Sequence, residues 1–289
     1  MVVPVDKITQ IVFDLTEEEF TDLTENHRPF GCVEKATKKG EVVTNFFLEL
    51  TKEYEGKLPP DAFTRELFYF GVSAYEQDYR AVSFSMAFDG LTGGTEKRGV
   101  RKEQYDALKA AFKKLNAIQI TIDLKPLLNA FPKYRYNYTG KLMEISGSLL
   151  PCQLVETELN GQKICAIELL AESPLMTVAK IKRQLLSYST APLAIVGQNN
   201  TPQVITLKNY LLRRIHKMKS DKRKSGLNNS ILFKTLYDQC GLADASDSSK
   251  RNARKEIEDI LNHFKTEGAI QNFTFEQENG KYRAIKITF

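Results

Sequence analysis

The residues with the clearest chemical potential lie near the C-terminus. The run Ser248-Ser249-Lys250-Arg251-Asn252-Ala253-Arg254-Lys255 packs four cations, an amide and two hydroxyls into eight positions. Arg can grip guanine O6 and N7 with two hydrogen bonds, and Asn can do the same with adenine N6 and N7. The next turns are acidic, with Glu256, Glu258 and Asp259. A helix of that polarity would turn its basic end toward a polyanion. A solvated helix of mixed charge is the alternative. A second basic run holds Lys217, Lys219, Lys222, Arg223 and Lys224, dense enough for phosphate contacts that position without specifying sequence. Lys281 and Arg283 flank Tyr282 beside Asn279-Gly280 and would reach phosphates from a hairpin. Edge-strand cations also serve to block aggregation. Further upstream, Arg98, Arg101, Lys102 and Gln104 are candidate contacts at the start of another helix.

Enzymatic constellations are not evident. His27, His216 and His263 are scattered, no HxH pair stands near a nucleophilic Tyr, and no GxxxxGK[ST] phosphate loop occurs. Cys32, Cys152, Cys165 and Cys240 form no CxxC pair, so neither a zinc site nor a disulfide framework is suggested. The expectation is a non-enzyme with no cofactor and no metal, in a reducing cytoplasm. No apolar run approaches a membrane span, and Met1 to Glu19 has no secretory-signal pattern.

Charge is unevenly spread. The chain of 289 residues has a net charge of +5. Residues 1–172 hold 21 basic and 26 acidic residues, whereas 173–289 hold 20 and 10. Within 173–226 there are 11 basic residues and one acid, Asp221. The second part has the electrostatic footprint of a polyanion binder, and the first does not.

The elements that would position these residues follow from periodicity. Asp61 is a helix N-cap before Phe63, Leu67, Phe68, Phe70 and Val72. Arg101–Leu115 has an apolar stripe of Tyr105, Leu108, Phe112 and Leu115, and Ile118–Ile122 alternates as a strand. Thr44–Leu50, Leu142–Ser146, Leu149–Glu156 and Lys163–Leu170 read as strands, the last two joined at Asn160-Gly161. Val82–Phe84 reads as a short strand or turn, and the three glycines of Gly90–Gly94 as a turn. Leu175–Tyr188 reads as a helix. Leu207–Met218, Asn229–Cys240 and Ser248–Phe264 read as three helices, followed by strands Ile270–Phe275 and Tyr282–Phe289. Three helices and a hairpin is the order of a winged helix-turn-helix, whose last helix enters the major groove. The predicted class is therefore α+β with two tandem winged helix-turn-helix domains. Residues 1–172 form the first, 173–206 a basic helical linker, and 207–289 a DNA-binding domain. Residues 200–289 are expected to fold alone.

Three stretches, KLPPDAFTRELFYFGVSAY, RKEQYDALKAAFKKLNAIQITI, and ITLKNYLLRRIHKM with SSKRNARKEIEDILNHFKTEGAI, resemble plasmid and phage replication initiators built from tandem winged helices. The resemblance implies that the C-terminal winged helix reads repeated origin sequences in double-stranded DNA. It implies that the N-terminal one contributes dimerisation to a homodimer and further DNA contact. It also implies recruitment of a host replicative helicase or initiator. The acidic stretch 14–25 and the insert 90–99 depart from the family pattern. A transcriptional regulator with the same folds is the alternative, and a protein whose winged helices contact only protein is a third.

Overall fold

Helix starts are set locally, by side chains that accept the first backbone N–H groups. In the computed structural model, which describes residues 1–35, 41–51, 58–94, 100–130, 144–159, 162–221 and 229–289, this is visible at four helices. Asp6 caps one by accepting from Ile8 and Thr9, Thr16 and Glu19 form a reciprocal capping box, Asp61 accepts from Thr64, and Ser246 accepts from Ser249.

The chain is mixed helix and strand. Its order is β1 (Val2–Pro4), α1 (Lys7–Asp14), α2 (Glu17–Glu25), β2 (Phe30–Lys35), β3 (Glu41–Leu50), α3 (Ala62–Glu76), β4 (Ala81–Ser83) and α4 (Phe84–Thr92). Then come α5 (Lys102–Ala117), β5 (Ile118–Asp123), α6 (Lys125–Ala130), β6 (Glu144–Ser148), β7 (Cys152–Leu159), β8 (Gln162–Leu169), α7 (Pro174–Lys182) and β9 (Leu185–Ser187). The last part is α8 (Pro202–Asp221), β10 (Ser230–Leu232), α9 (Phe233–Gln239), α10 (Asp247–Thr266), β11 (Asn272–Glu278) and β12 (Lys281–Thr288).

Two units emerge from backbone packing. One contains Val2–Phe84 with Leu108–Ser187, and the other contains Met1, Ser85–Ala107 and Tyr188–Phe289. The boundary in the middle of the chain thus falls inside α5. In the first unit an antiparallel sheet of order β2-β3-β5-β6 buries Phe46, Leu48, Ile118, Ile120 and Ile122 on one face. A second sheet has the order β4-β8-β7, and β1 pairs with β9. Phe13 of α1 meets Phe68 of α3 with ring centroids 5.0 Å apart. The acidic residues at 14–25 find their place here: Glu17, Glu18 and Glu19 lie in the first turn of α2, where the helix dipole favours negative charge.

In the other unit, β10-β12-β11 form an antiparallel sheet. Leu211, Leu212 and Ile215 of α8, Phe233 and Leu236 of α9, Ile231, Ile285 and Ile287 are buried with the α10 stripe Ala253, Ile257, Ile260, Leu261 and Phe264. Burying each of the larger side chains is worth roughly 1.5–3 kcal/mol relative to exposure. Asn279 and Gly280 turn β11 into β12 with φ of 51° and 73°, the left-handed pair that a two-residue hairpin requires.

One order of elements occurs twice. Helix, short strand, helix, helix and hairpin are α3-β4-α4-α5-β7-β8 and again α8-β10-α9-α10-β11-β12. In both, the short strand pairs with the last hairpin strand, giving β4-β8-β7 and β10-β12-β11. The first copy differs by the insertion of β5, α6 and β6 before its hairpin.

Several expectations change. Asn229–Cys240 is a strand and then a helix, because Ile231 pairs opposite Ile285 and enters the sheet. Leu175–Tyr188 is a helix only to Lys182; Arg183 takes φ of 53° and the chain continues as β9 against β1. The segment 173–206, expected as a basic helical linker, includes the helix α7, whose Pro174–Ala179 are all buried. Gly90 lies inside α4 rather than in a turn, which comes at Gly93 and Gly94 with φ of 84° and 77°. A Cβ on Gly93 would lie 2.4 Å from the backbone nitrogen of Ala194. The expected Asn160-Gly161 turn lies outside the described residues; Leu159 pairs with Gln162. Residues 200–289 are only part of their unit, since Asn209 donates from Nδ2 to the Leu91 carbonyl at 2.9 Å.

Candidate nucleic-acid interface

α10 owes its orientation to its apolar stripe, at spacings of four, three, one and three residues. With that stripe inward, the helix periodicity carries Ser248, Arg251, Asn252 and Lys255 to the opposite side, and all four are exposed. Among the described residues, their side chains make no hydrogen bond or ion pair. They form a hydroxyl, guanidinium, amide and ammonium array along about two turns, with donors suited to base edges and phosphate oxygens. Ser246 and Ser249 are occupied at the helix start, where Ser246 Oγ accepts the Ser249 N–H at 3.2 Å and stands 3.0 Å from its hydroxyl.

Lys250 and Arg254 point elsewhere. Both are half-buried. Lys250 Nζ donates to the Ala243 carbonyl at 2.7 Å and lies 5.8 Å from the centre of the Tyr237 ring. Arg254 donates from Nη1 to the Tyr237 hydroxyl at 3.2 Å, with its guanidinium 4.9 Å from the centre of the Tyr282 ring. The eight-residue basic run thus divides into an outward group and a pair turned onto the protein. The tyrosines were missed from sequence. Tyr282, between two candidate cations at a hairpin turn, was the available signal.

The hairpin tip carries Lys281 and Arg283, both exposed. Arg283 also pairs with Glu278 at 3.3 Å on the exposed surface. Two positions apart on a strand, Lys281 and Arg283 would share one face if alternation were strict. The strand register instead shifts between Glu276 and Gln277, which oppose Ala284 and Tyr282, so Arg283 falls at a bulge and strict alternation stops there. Beyond the bulge, Ala284 and Ile285 are both buried.

The second basic run is only partly visible. Lys217 is half-buried near the end of α8, and Lys219 is exposed with Nζ 5.4 Å from the centre of the Phe289 ring. Lys222, Arg223 and Lys224 lie outside the described residues, as does Arg98. His216 packs its ring 5.5 Å from Tyr188. Burial first, then the nearby Lys219 and N-terminal ammonium, push its pKa below the ordinary histidine value.

At the start of α5, Arg101 and Lys102 are exposed. Gln104 is buried instead: it donates from Nε2 to the Asn200 carbonyl at 3.0 Å, and its Oε1 accepts the Arg101 N–H at 2.9 Å. Glu103 and Asp106 share the exposed side of this helix, and Lys109 is paired with Glu156 of β7. The first turns of this helix are therefore less basic than those of α10.

All four cysteines are buried and unbridged. Burial pushes the Cys152 thiol up to about 12, leaving it a packing residue rather than a nucleophile. Among the described residues, no cluster of His, Cys, Asp and Glu is arranged to hold a metal, and no helix is long and apolar enough to cross a membrane.

No protein-family model matches the chain, and no curated protein matches it in sequence. Two solved structures are similar over most of its length. One is a selenomethionine derivative of domains 2 and 3 of RctB, at 8% identity and a TM-score of 0.39, covering 90% of this chain and 91% of that one. The other, also of RctB domains 2-3, is 11% identical, with a TM-score of 0.39 and coverage of 90% and 91%.

Proposed function

We propose that this chain binds double-stranded DNA sequence-specifically through two winged helix-turn-helix folds and serves replication initiation at repeated origin sites. The observation that carries the reading is the repeated order of helix, strand, helix, helix and hairpin with the same strand pairing in both copies. In that arrangement the third helix is the one that enters the major groove, and the hairpin is the wing. In the second copy the third helix is α10, and its outward Ser248, Arg251, Asn252 and Lys255 supply the contacts. Arg251 and Asn252 are the base-reading candidates. Ser248, Lys255, Lys219, Lys281 and Arg283 would meet the backbone, with Ser249 at the helix start. Lys222, Arg223 and Lys224 extend the phosphate set by sequence alone. Lys217, Lys250 and Arg254 stand behind it, and Arg101 and Lys102 are the candidates of the first copy.

The mechanism is binding without catalysis. Copies of the chain bound to successive repeats would strain the adjoining duplex and recruit a host replicative helicase or initiator. The dimerisation role rests on the N-terminal copy. Replication rather than transcription rests on the sequence resemblance to tandem winged-helix initiators.

Two linked experiments test this. Duplexes retained by the chain from a randomised pool should converge on one motif. Footprinting of DNA next to its own gene should then show that motif repeated beside an AT-rich tract. A single palindrome over a promoter would favour the regulator, and absence of any footprint would favour a protein-binding role.

A further inference from the structure

Arg254 of α10 reaches the tip of the second hairpin, with its guanidinium 4.9 Å from the centre of the Tyr282 ring. β10 pairs with β12 from Leu232 opposite Ala284 to Ser230 opposite Lys286, so among the described residues Lys281 to Arg283 have no strand beside them except β11. A two-stranded tip of this kind opens readily unless side chains hold it down. Here the side chains come from four elements, β11, β12, α9 and α10. Tyr282 stands edge-on to Phe275, with ring centroids 5.8 Å apart, and to Phe233 at 5.7 Å. Phe233 also meets Tyr237 at 5.6 Å and Phe275 at 5.6 Å. Arg254 brings a guanidinium from α10 into this group, hydrogen-bonded to the Tyr237 hydroxyl and set over Tyr282.

We propose that Arg254 is a positioning residue that holds the wing at a fixed place against α10, so that Lys281 and Arg283 meet phosphates while the outward face of α10 meets bases. The inference rests on the DNA reading above and assigns a different role to one member of its basic run. Arg254 has the side-chain chemistry of a base reader but neither the exposure nor the direction. It is half-buried, and its guanidinium faces two tyrosines. A planar guanidinium can lie flat on one ring while donating to a hydroxyl from its edge, a fork geometry that the compact, more strongly hydrated ammonium does not reproduce. Lysine is therefore a poor substitute at this position.

The test compares the intact chain with Arg254→Met, Arg254→Lys, Tyr237→Phe, Tyr282→Phe and Tyr282→Leu. Without DNA, amide hydrogen exchange is read at the hairpin tip and in α10. Arg254→Met and Tyr282→Leu should speed exchange at the tip by about tenfold while the buried turns of α10 stay protected. Tyr282→Phe keeps the ring and should match the unmodified chain. Arg254→Lys and Tyr237→Phe should fall between. With a selected duplex, Arg254→Met should weaken binding by about tenfold on specific and scrambled DNA alike, and footprint protection beneath the wing should fade while that beneath α10 persists. Unchanged exchange at the tip, or a loss confined to the specific duplex, would overturn the proposal. If Arg254→Met fails to fold, the Tyr282→Leu and Tyr237→Phe exchange results decide the matter. If the unmodified chain binds no duplex, the DNA reading fails, and the exchange data still show whether Arg254 holds the wing.

Discussion

Arg251 and Arg254 are three residues apart on one helix, and only their neighbours distinguish them. Arg251 is exposed beside Ser248, Asn252 and Lys255, whereas Arg254 is half-buried and faces tyrosines from α9 and β12. Arg251→Ala should therefore cost about 1–3 kcal/mol on the specific duplex and little on scrambled DNA. Equal loss on both, read by titration, would make Arg251 a backbone contact and move base reading elsewhere. The outward direction of these four candidate residues was legible because helix periodicity places residues once the apolar stripe is known. The inward turn of Lys250 and Arg254 was not, since Tyr237 and Tyr282 reach them from other elements. Gln104 eluded the sequence for the same reason: its burial depends on Asn200, far along the chain.

The elements that were legible carry their own signals. The α10 stripe is one, and the helix should not tolerate a carboxylate on it. Ile257 is fully buried, so Ile257→Asp would place an unpaired charge in the core at a cost of several kcal/mol. Thermal unfolding should show the C-terminal unit lost; an unchanged melting temperature would mean that the helix phase is wrong. Elements defined by distant partners were not legible. β9 exists because it pairs with β1, and β10 because it pairs with β12. α4 is a different case, because Phe84, Ala87, Phe88 and Leu91 already lie at helical spacing and all are buried. Gly90 interrupts that pattern in the sequence, although one glycine costs a helix only about 1 kcal/mol. His216 in α8 adds a pH dependence. Its folded pKa is lowered, so the unfolded chain binds the proton more readily. The resulting destabilisation should grow as pH falls through about 6.5, the ordinary histidine value, and reach its full size below the folded pKa. Denaturant midpoints from pH 8 to pH 5 should fall less steeply in His216→Phe than in the unmodified chain, and parallel curves would contradict the assignment.

At the scale of the whole molecule, sequence order and packing do not coincide. The three-helix and hairpin pattern is continuous from α8 to β12, yet its unit also takes in Ser85–Ala107. Val204 to Arg213 are buried without a break, which is more than one face of α8. A fragment of residues 200–289 should therefore be less stable than the same segment in the intact chain, with faster hydrogen exchange in α8, having lost among others the Asn209 contact with Leu91. Identical exchange in fragment and intact chain would restore the simpler division at residue 207. Charge is also a property of the whole, because the excess of cations lies in the second part of the sequence. If α10, the end of α8 and the wing act together on DNA, about six to ten phosphates are neutralised at once, and their counterions are released. The most direct test is an equilibrium titration of the intact chain with duplex DNA at a series of salt concentrations. The account predicts that affinity falls by about a thousandfold or more between roughly 50 and 200 mM salt. A flat salt response, or no binding at the lowest salt, would contradict it.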